Sequence, residues 1–242
     1  EHLAGKDMMR LACKMLNSYG VTSSQTDDLV SIKGVPWQTI IDAYQELEAA
    51  GELTVRVYEQ SNFNKLEEFQ KFLDAGYVTG VGSEMFKIGP LKLLGDGSLG
   101  SRTAYMSEPY ADDPSTQGLV LFTQEEFDQL ISCANAHKMH VAVHAIGDGT
   151  LDRVLNAVEK ALKEHPNPDH RHGIVHAQTT TPALLERMKA LGLQAYIQPI
   201  FIDADMNIIA ERVGEAHAKE CYNWKAMEDL GIRVSGGSDC PV

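Results

Sequence analysis

The chain has 242 residues, 43% of them hydrophobic, and carries a formal net charge of -13 at pH 7. That length and apolar content suit a packed globular core rather than a disordered chain, and the acidic balance excludes a nucleic-acid surface, which needs clustered Lys and Arg against phosphate. No apolar run approaches the roughly 20 residues of a membrane span and no leader-type segment opens the chain, so a cytoplasmic protein without a membrane partner is expected.

From the amino end, "KDMMRLACKMLNSYG" reads as the inside of a helix. Short β-branched runs follow: "GVTSS", "LTVRVY" and "FKIGPLKLL". The last of these runs into "GDGSLGSRTA", where Gly95, Gly97 and Gly100 fall at the G-x-G-x-x-G spacing of a dinucleotide loop. Such a loop must open a helix whose N-terminal amides hold the pyrophosphate. Here it leads instead into "SRTAYMSEPYADDPSTQG", which holds two prolines and many turn formers but no helical period. The glycines read as a sharp turn out of a strand.

The next segments carry start signals as well as period. In "TQEEFDQLISCANAH", Thr123 and Glu126 make a capping box, and Phe127, Leu130, Ile131 and Ala134 line one face. "HVAVHA" reads as a strand, and "TLDRVLNAVEKALKEH" as a helix on Leu151, Val154, Leu155, Val158 and Leu162. "GIVHA" is again a strand. In "TPALLERMKALG", Thr181 caps, Pro182 suits the first turn and Gly192 suits the stop. "QAYIQPI" and "IRVSGG" complete the strands. The four cysteines, Cys13, Cys133, Cys221 and Cys240, form no C-x-x-C pair and point neither to a disulfide framework nor to a thiolate metal site.

Strand and helix thus alternate over residues 1–242 with no linker between them, which predicts one α/β domain with a parallel sheet. Seven strands, a helical beginning and a final strand favour a (β/α)₈ TIM-type barrel that is incomplete, with strands 2 to 8 present. In a barrel the strand C-termini carry the chemistry. Lys92 lies on the strand before the glycine turn, His144 follows "VAV", His176 follows "GIV" and Asp239 follows "VSGGS", so all four are expected at one mouth.

Each has an ordinary explanation. A lone strand-end His is more often a hydrogen-bonded structural residue, and an Asp in "GGSDCP" can serve a turn. A Lys on an apolar strand is harder to dismiss, because desolvating an ammonium is expensive. Their joint occurrence outweighs the separate explanations, and the set has the ligand types of a metal hydrolase. Two other pairs fail on geometry. His140 and His144 on a strand stand roughly 13 Å apart at about 3.3 Å per residue. His170 and His172 precede their strand and would sit at the opposite, structural face.

"LKLLGDGSLGSRTA", "HVAVHAIGDG", "RHGIVHAQ" and "SGGSDCPV", in this order, resemble the amidohydrolase superfamily, specifically its amidohydrolase family 3 branch. The resemblance implies a barrel with one or two divalent metals, zinc by preference, that hydrolyses amide-type C–N bonds of a small-molecule substrate. It further implies that Lys92 is a metal ligand once carboxylated, that His144 and His176 are metal ligands, and that Asp239 is both ligand and catalytic acid–base. A lysine binds a hard cation only when it ceases to be an ammonium, and carbamylation makes it a carboxylate. Asp239 would take the proton of the attacking water and return it to the leaving nitrogen. Asp96 and Arg102, on the glycine loop, are expected near the substrate.

Two departures from the family pattern stand out. Val175 occupies the position where members usually carry a Glu. The H-x-H pair of the first strand is expected upstream of residue 1, so the 242-residue chain alone is expected to be a weak catalyst. Val21 to Ser24 and Ile232 to Gly236 would then be exposed strand edges that invite a homo-oligomer. Two other readings stay open: a non-catalytic barrel relative acting as a binding module, and a nucleotide-binding α/β protein.

Overall fold

Short β-branched runs separated by amphipathic helices fold as parallel strands with helical crossovers, because only a crossover returns the chain to the same end of the sheet. The computed structural model describes residues 2–240. They pack as two compact units, the first running up to Lys92 and taking in His137–His140, the second holding the rest.

The first unit comprises α1 (His2–Ser18), β1 (Ser23–Thr26), α2 (Trp37–Ala49), β2 (Arg56–Ser61), α3 (Leu66–Asp74) and most of β3 (Phe86–Leu94). β1 pairs with β2 in parallel, Ser23 opposite Arg56, and β2 with β3, Val57 opposite Phe86. β3 is buried along both faces, which is why its sequence is a continuous apolar run instead of an alternation. α2 buries Trp37, Ile40, Ile41, Tyr44 and Leu47, the stripe that a period of 3.6 produces. The Trp37 ring meets Phe72 edge-on at 5.1 Å and Tyr77 at 5.4 Å, tying α2 to the α3 region. β1 begins later than its apolar run because the Gly20 and Val21 amides close the end of α1, bonding Asn17 O and Leu16 O.

The second unit comprises α4 (Gln124–Ala136), β4 (Val141–Ala145), α5 (Asp148–Glu164), β5 (Gly173–His176), α6 (Pro182–Ala190), β6 (Gln194–Ile197), α7 (Ile202–Asp205), α8 (Ile209–Ala218), α9 (Trp224–Asp229) and β7 (Val234–Gly236). β4 to β7 run parallel in chain order, with Ala145 opposite His176 and Ile197 opposite Gly236. Just beyond β3, the Gly95 amide bonds His144 O at 2.9 Å. Both units have the parallel α/β architecture from which a (β/α)₈ barrel is assembled, with seven strands among the described residues in place of eight. β1 and β7 are the terminal strands, and β1 alternates between exposed and half-buried residues.

The capping box forms as read. The Thr123 amide donates to Glu126 Oε2 at 2.9 Å, and the Glu126 amide donates back to Thr123 Oγ1 at 3.2 Å. Thr123→Ala is therefore expected to cost about 1 kcal/mol, read as a lower urea midpoint with unchanged m-value. α6 starts on Thr181, whose Oγ1 accepts from the Leu184 amide at 3.3 Å, and stops before Gly192 at φ +70°.

Candidate metal and catalytic site

His144 enters from β4 and His176 from the last position of β5, one step further along the paired strands. The offset brings the two imidazoles together edge to face, 4.4 Å between ring centroids. His176 has φ +76° and Ala177 φ +47°, so the chain turns out of the strand through left-handed backbone at two non-glycine residues. Such conformations cost of order 1–3 kcal/mol each and cluster at functional sites. Asp239 follows β7, also left-handed at φ +56°, and its Oδ2 lies 3.9 Å from His176 Nε2. These three side chains come together at strand C-termini of the second unit. Lys92 is buried on β3 at 9% exposure and belongs to the first unit, as the last residue of its run from the amino end.

Asp96 and Arg102 occupy the glycine loop in different ways. The Asp96 carboxylate is fully enclosed: Oδ1 accepts from the Ile146 amide at 3.1 Å, and Oδ2 from the Tyr105 and Gly147 amides at 3.0 and 2.8 Å. His144 Nε2 is 3.1 Å from the same Oδ1 and 2.9 Å from Gly97 O. Arg102 instead forks onto Asp112, Nε to Oδ1 at 3.0 Å and Nη2 to Oδ2 at 2.7 Å. Arg212 bonds the same carboxylate. The Arg102 contact, ahead of the Arg212 charge, holds the Asp112 carboxyl below its usual range.

His170 and His172 are structural, at the start of β5. His170 accepts the His172 amide on Nδ1 at 2.9 Å and bonds Leu191 O through Nε2; burial lowers its pKa. His172 accepts the Val141 amide at 3.1 Å and meets Asn135 Oδ1 at 3.2 Å. A surface cleft beside them, lined by residues such as Arg171, Lys189 and Arg233, also opens at the strand starts, away from His144 and His176.

Sequence spacing did not reveal Phe201, whose ring stacks on His176 at 5.7 Å and 19°. It also missed a half-buried network just beyond His176, where Gln178 Nε2 donates to Asp205 Oδ2 at 2.6 Å and Tyr222 OH bonds both partners. Only the quoted "RHGIVHAQ" offered a signal for Gln178, by its place two residues after the histidine.

Two imidazoles and a carboxylate are the donor types of a zinc-like ion, so the set fits such a metal in kind. Among the described residues, no three His, Cys, Asp or Glu side chains are grouped tightly enough to hold an ion as they stand. The two polar neighbours of His144 Nε2, Gly97 O and Asp96 Oδ1, are both acceptor atoms.

A family model described as "Amidohydrolase family" matches residues 4–242. YtcJ of Bacillus subtilis (strain 168), named as an amidohydrolase, is 34% identical over 227 residues, covering 92% of this chain and 40% of that protein. Protein LONG AFTER FAR-RED 3 of Arabidopsis thaliana is 30% identical over 208 residues, covering 85% of this chain and 35% of its own. A crystal structure described as an uncharacterized metal-dependent hydrolase from Pyrococcus furiosus superposes with a TM-score of 0.82 at 33% identity, over 98% of this chain and 46% of that one. The chain thus spans less than half the length of these relatives.

Proposed function

We propose that this chain, which belongs to the amidohydrolase family, supplies the larger part of the catalytic barrel of a hydrolase that cleaves amide-type C–N bonds in small molecules with the help of a divalent metal, zinc by preference. The observation that carries the reading is the convergence of His144, His176 and Asp239 in the second unit, with rings 4.4 Å apart and the carboxylate 3.9 Å from His176. His144 and His176 would hold the metal, joined by Asp239; the role of Lys92 as a carboxylated ligand rests on the family resemblance of its own motif alone. A bound divalent metal would polarise the substrate carbonyl and make a water acidic enough to attack near neutral pH.

The chain's own residues do the rest. Asp239, 39% exposed at the end of β7, is open to solvent and substrate, and takes the proton of the attacking water before returning it to the departing nitrogen. Phe201 covers one face of His176 and keeps water from it. The Arg102–Asp112–Arg212 cluster braces the loop beside the site, and substrate contacts by Asp96 or Arg102 would have to come through that loop. The four cysteines carry free thiols, which suits a reducing, cytoplasmic setting.

The nucleotide reading loses its support. No helix follows Gly100 until Gln124, and a Cβ on Gly97 would run into Thr103 of the same loop, so the glycines serve the loop's own packing.

Metal analysis and an N-acyl amide screen test the proposal on two proteins: this chain, and the chain extended upstream to include an H-x-H strand. The extended chain is expected to hold metal and hydrolyse amides, the 242-residue chain to do little of either. Full occupancy and activity in the short chain would mean that the ligand set is misplaced. An extended chain that binds no metal would favour the binding-module reading.

A further inference from the structure

We propose that Asp96 is a positioning residue, which fixes through the glycine loop the ring nitrogen that His144 presents to the reaction. This rests on the reading of His144 as a metal-site residue. The Asp96 side chain is fully buried and gathers three main-chain amides from two segments: Tyr105 from the returning loop, and Ile146 and Gly147 from the turn after β4. It is therefore the knot that holds the loop against the strand carrying His144.

The consequence for the imidazole follows from what surrounds Nε2. Its two polar neighbours, Gly97 O at 2.9 Å and Asp96 Oδ1 at 3.1 Å, are both acceptors. A bare nitrogen lone pair there would face two others, so the proton sits on Nε2 and the lone pair on Nδ1. An imidazole that binds a metal through one nitrogen commonly donates the other N–H to a carboxylate or carbonyl, and losing that partner typically costs roughly 10–100-fold in metal affinity.

The loop is shaped to keep the Gly97 carbonyl in place. The Gly97 amide bonds Thr103 O at 3.1 Å and the Ser98 amide bonds Thr103 Oγ1 at 2.9 Å. A Cβ at Gly95 would stand 2.6 Å from His144 O, and one at Gly97 would stand 2.5 Å from Thr103 Cβ. Gly100 has only Ile208 within reach, at 3.8 Å. The first two glycines and the aspartate between them thus form a single device that acts on His144, and the third glycine lies outside it.

Asp96→Asn tests this. Placing its NH₂ group on the Oδ2 side would face two amides, Tyr105 and Gly147, whereas the Oδ1 side faces only Ile146. The NH₂ group therefore turns toward His144 and donates to Nε2, which moves the ring proton to Nδ1. Nitrogen-15 spectra of histidine-labelled, metal-free protein above the histidine titration range are expected to show His144 mainly as the Nε2–H tautomer in the wild type and mainly Nδ1–H in Asp96→Asn. A folded variant with the wild-type tautomer overturns the proposal. So does a wild-type His144 that carries its proton on Nδ1, a result that needs no variant to fold. Zinc titration of the upstream-extended chain judges the underlying reading separately. Zinc that shifts His144 Nδ1, with roughly 10–100-fold weaker binding in Asp96→Asn, supports both. Zinc that leaves the His144 resonances unmoved removes the metal-site reading, and the tautomer result then stands or falls alone.

Discussion

Asp239→Asn in the upstream-extended chain is expected to lower amide hydrolysis by about 10²–10⁴-fold in kcat, the usual worth of a positioned acid–base group, with KM changed far less. The substitution isolates the proton-accepting oxygen. Asp239 has φ +56°, a conformation that Asn adopts as readily as Asp, so the backbone after β7 is undisturbed. An Asn side chain can still accept a hydrogen bond but cannot hold the proton. If Asp239 only shaped the turn, Asn would preserve activity and Asp239→Ala would damage it, because Ala is disfavoured in left-handed backbone. The ranking of the two variants is thus the measurement: Asn as inactive as Ala supports the proton role, and Asn at near wild-type activity overturns it.

The parts of this architecture that were legible in the sequence are those with a one-dimensional signature. β3 to β5 are buried on nearly all sides, so their apolar runs stand out, and the box of Thr123 and Glu126 marks α4 to the residue. The meeting of the His144 and His176 rings was legible because His176 ends one apolar strand and His144 is the next-to-last residue of the other, and strand ends converge in a parallel sheet. Parallel pairing of β4 and β5, on which the expectation turned, is present. What was not legible depends on partners distant in sequence. Phe201 reaches His176 from the turn after β6, where Pro199 ends the strand and begins a 3₁₀ turn, and no spacing rule links the two. α7 to α9 are short, and α8 is broken at Gly214 with φ +80°, so no apolar stripe had the length to declare itself. Asp96 was expected beside the substrate because it lies in a glycine loop. Its carboxylate is instead spent on main-chain amides, which a sequence cannot display.

Glu59 was within reach of the alternation rule. It falls in the same inward register as Val57 on β2, and it is fully buried at 0% exposure. Neither of its carboxyl oxygens meets a donor at hydrogen-bonding geometry. Burial first, then the charge of the Asp28 carboxylate, pushes the Glu59 pKa well above the ordinary range; Asp27 adds to this, and the Leu29 amide pulls the other way. Tyr44 of α2 donates to Asp28 Oδ2 at 2.8 Å, and burial with these carboxylates and Cys13 pushes its phenol up as well, so it stays a neutral donor. A hydrogen bond between Glu59 and Asp28 exists only while one of them carries a proton. Because the folded-state pKa of Glu59 is raised, its contribution to stability is complete below the unfolded value of about 4.3 and is lost as pH rises through the folded value. The first unit is therefore expected to be firmest in mild acid and to weaken toward alkaline pH. Glu59→Gln replaces the titrating group with an amide that can donate to Asp28 at any pH. It is expected to match the wild type near pH 4 and to exceed it by about 1–3 kcal/mol at pH 8, the cost of a buried unsatisfied polar group. For a chain of this size that corresponds to a melting point higher by roughly 2–4 °C per kcal/mol. Melts of both proteins from pH 4 to pH 8 decide it: a gap that opens with pH supports the buried proton, and a gap that is constant or closes places the wild-type Glu59 charge in a site that tolerates it.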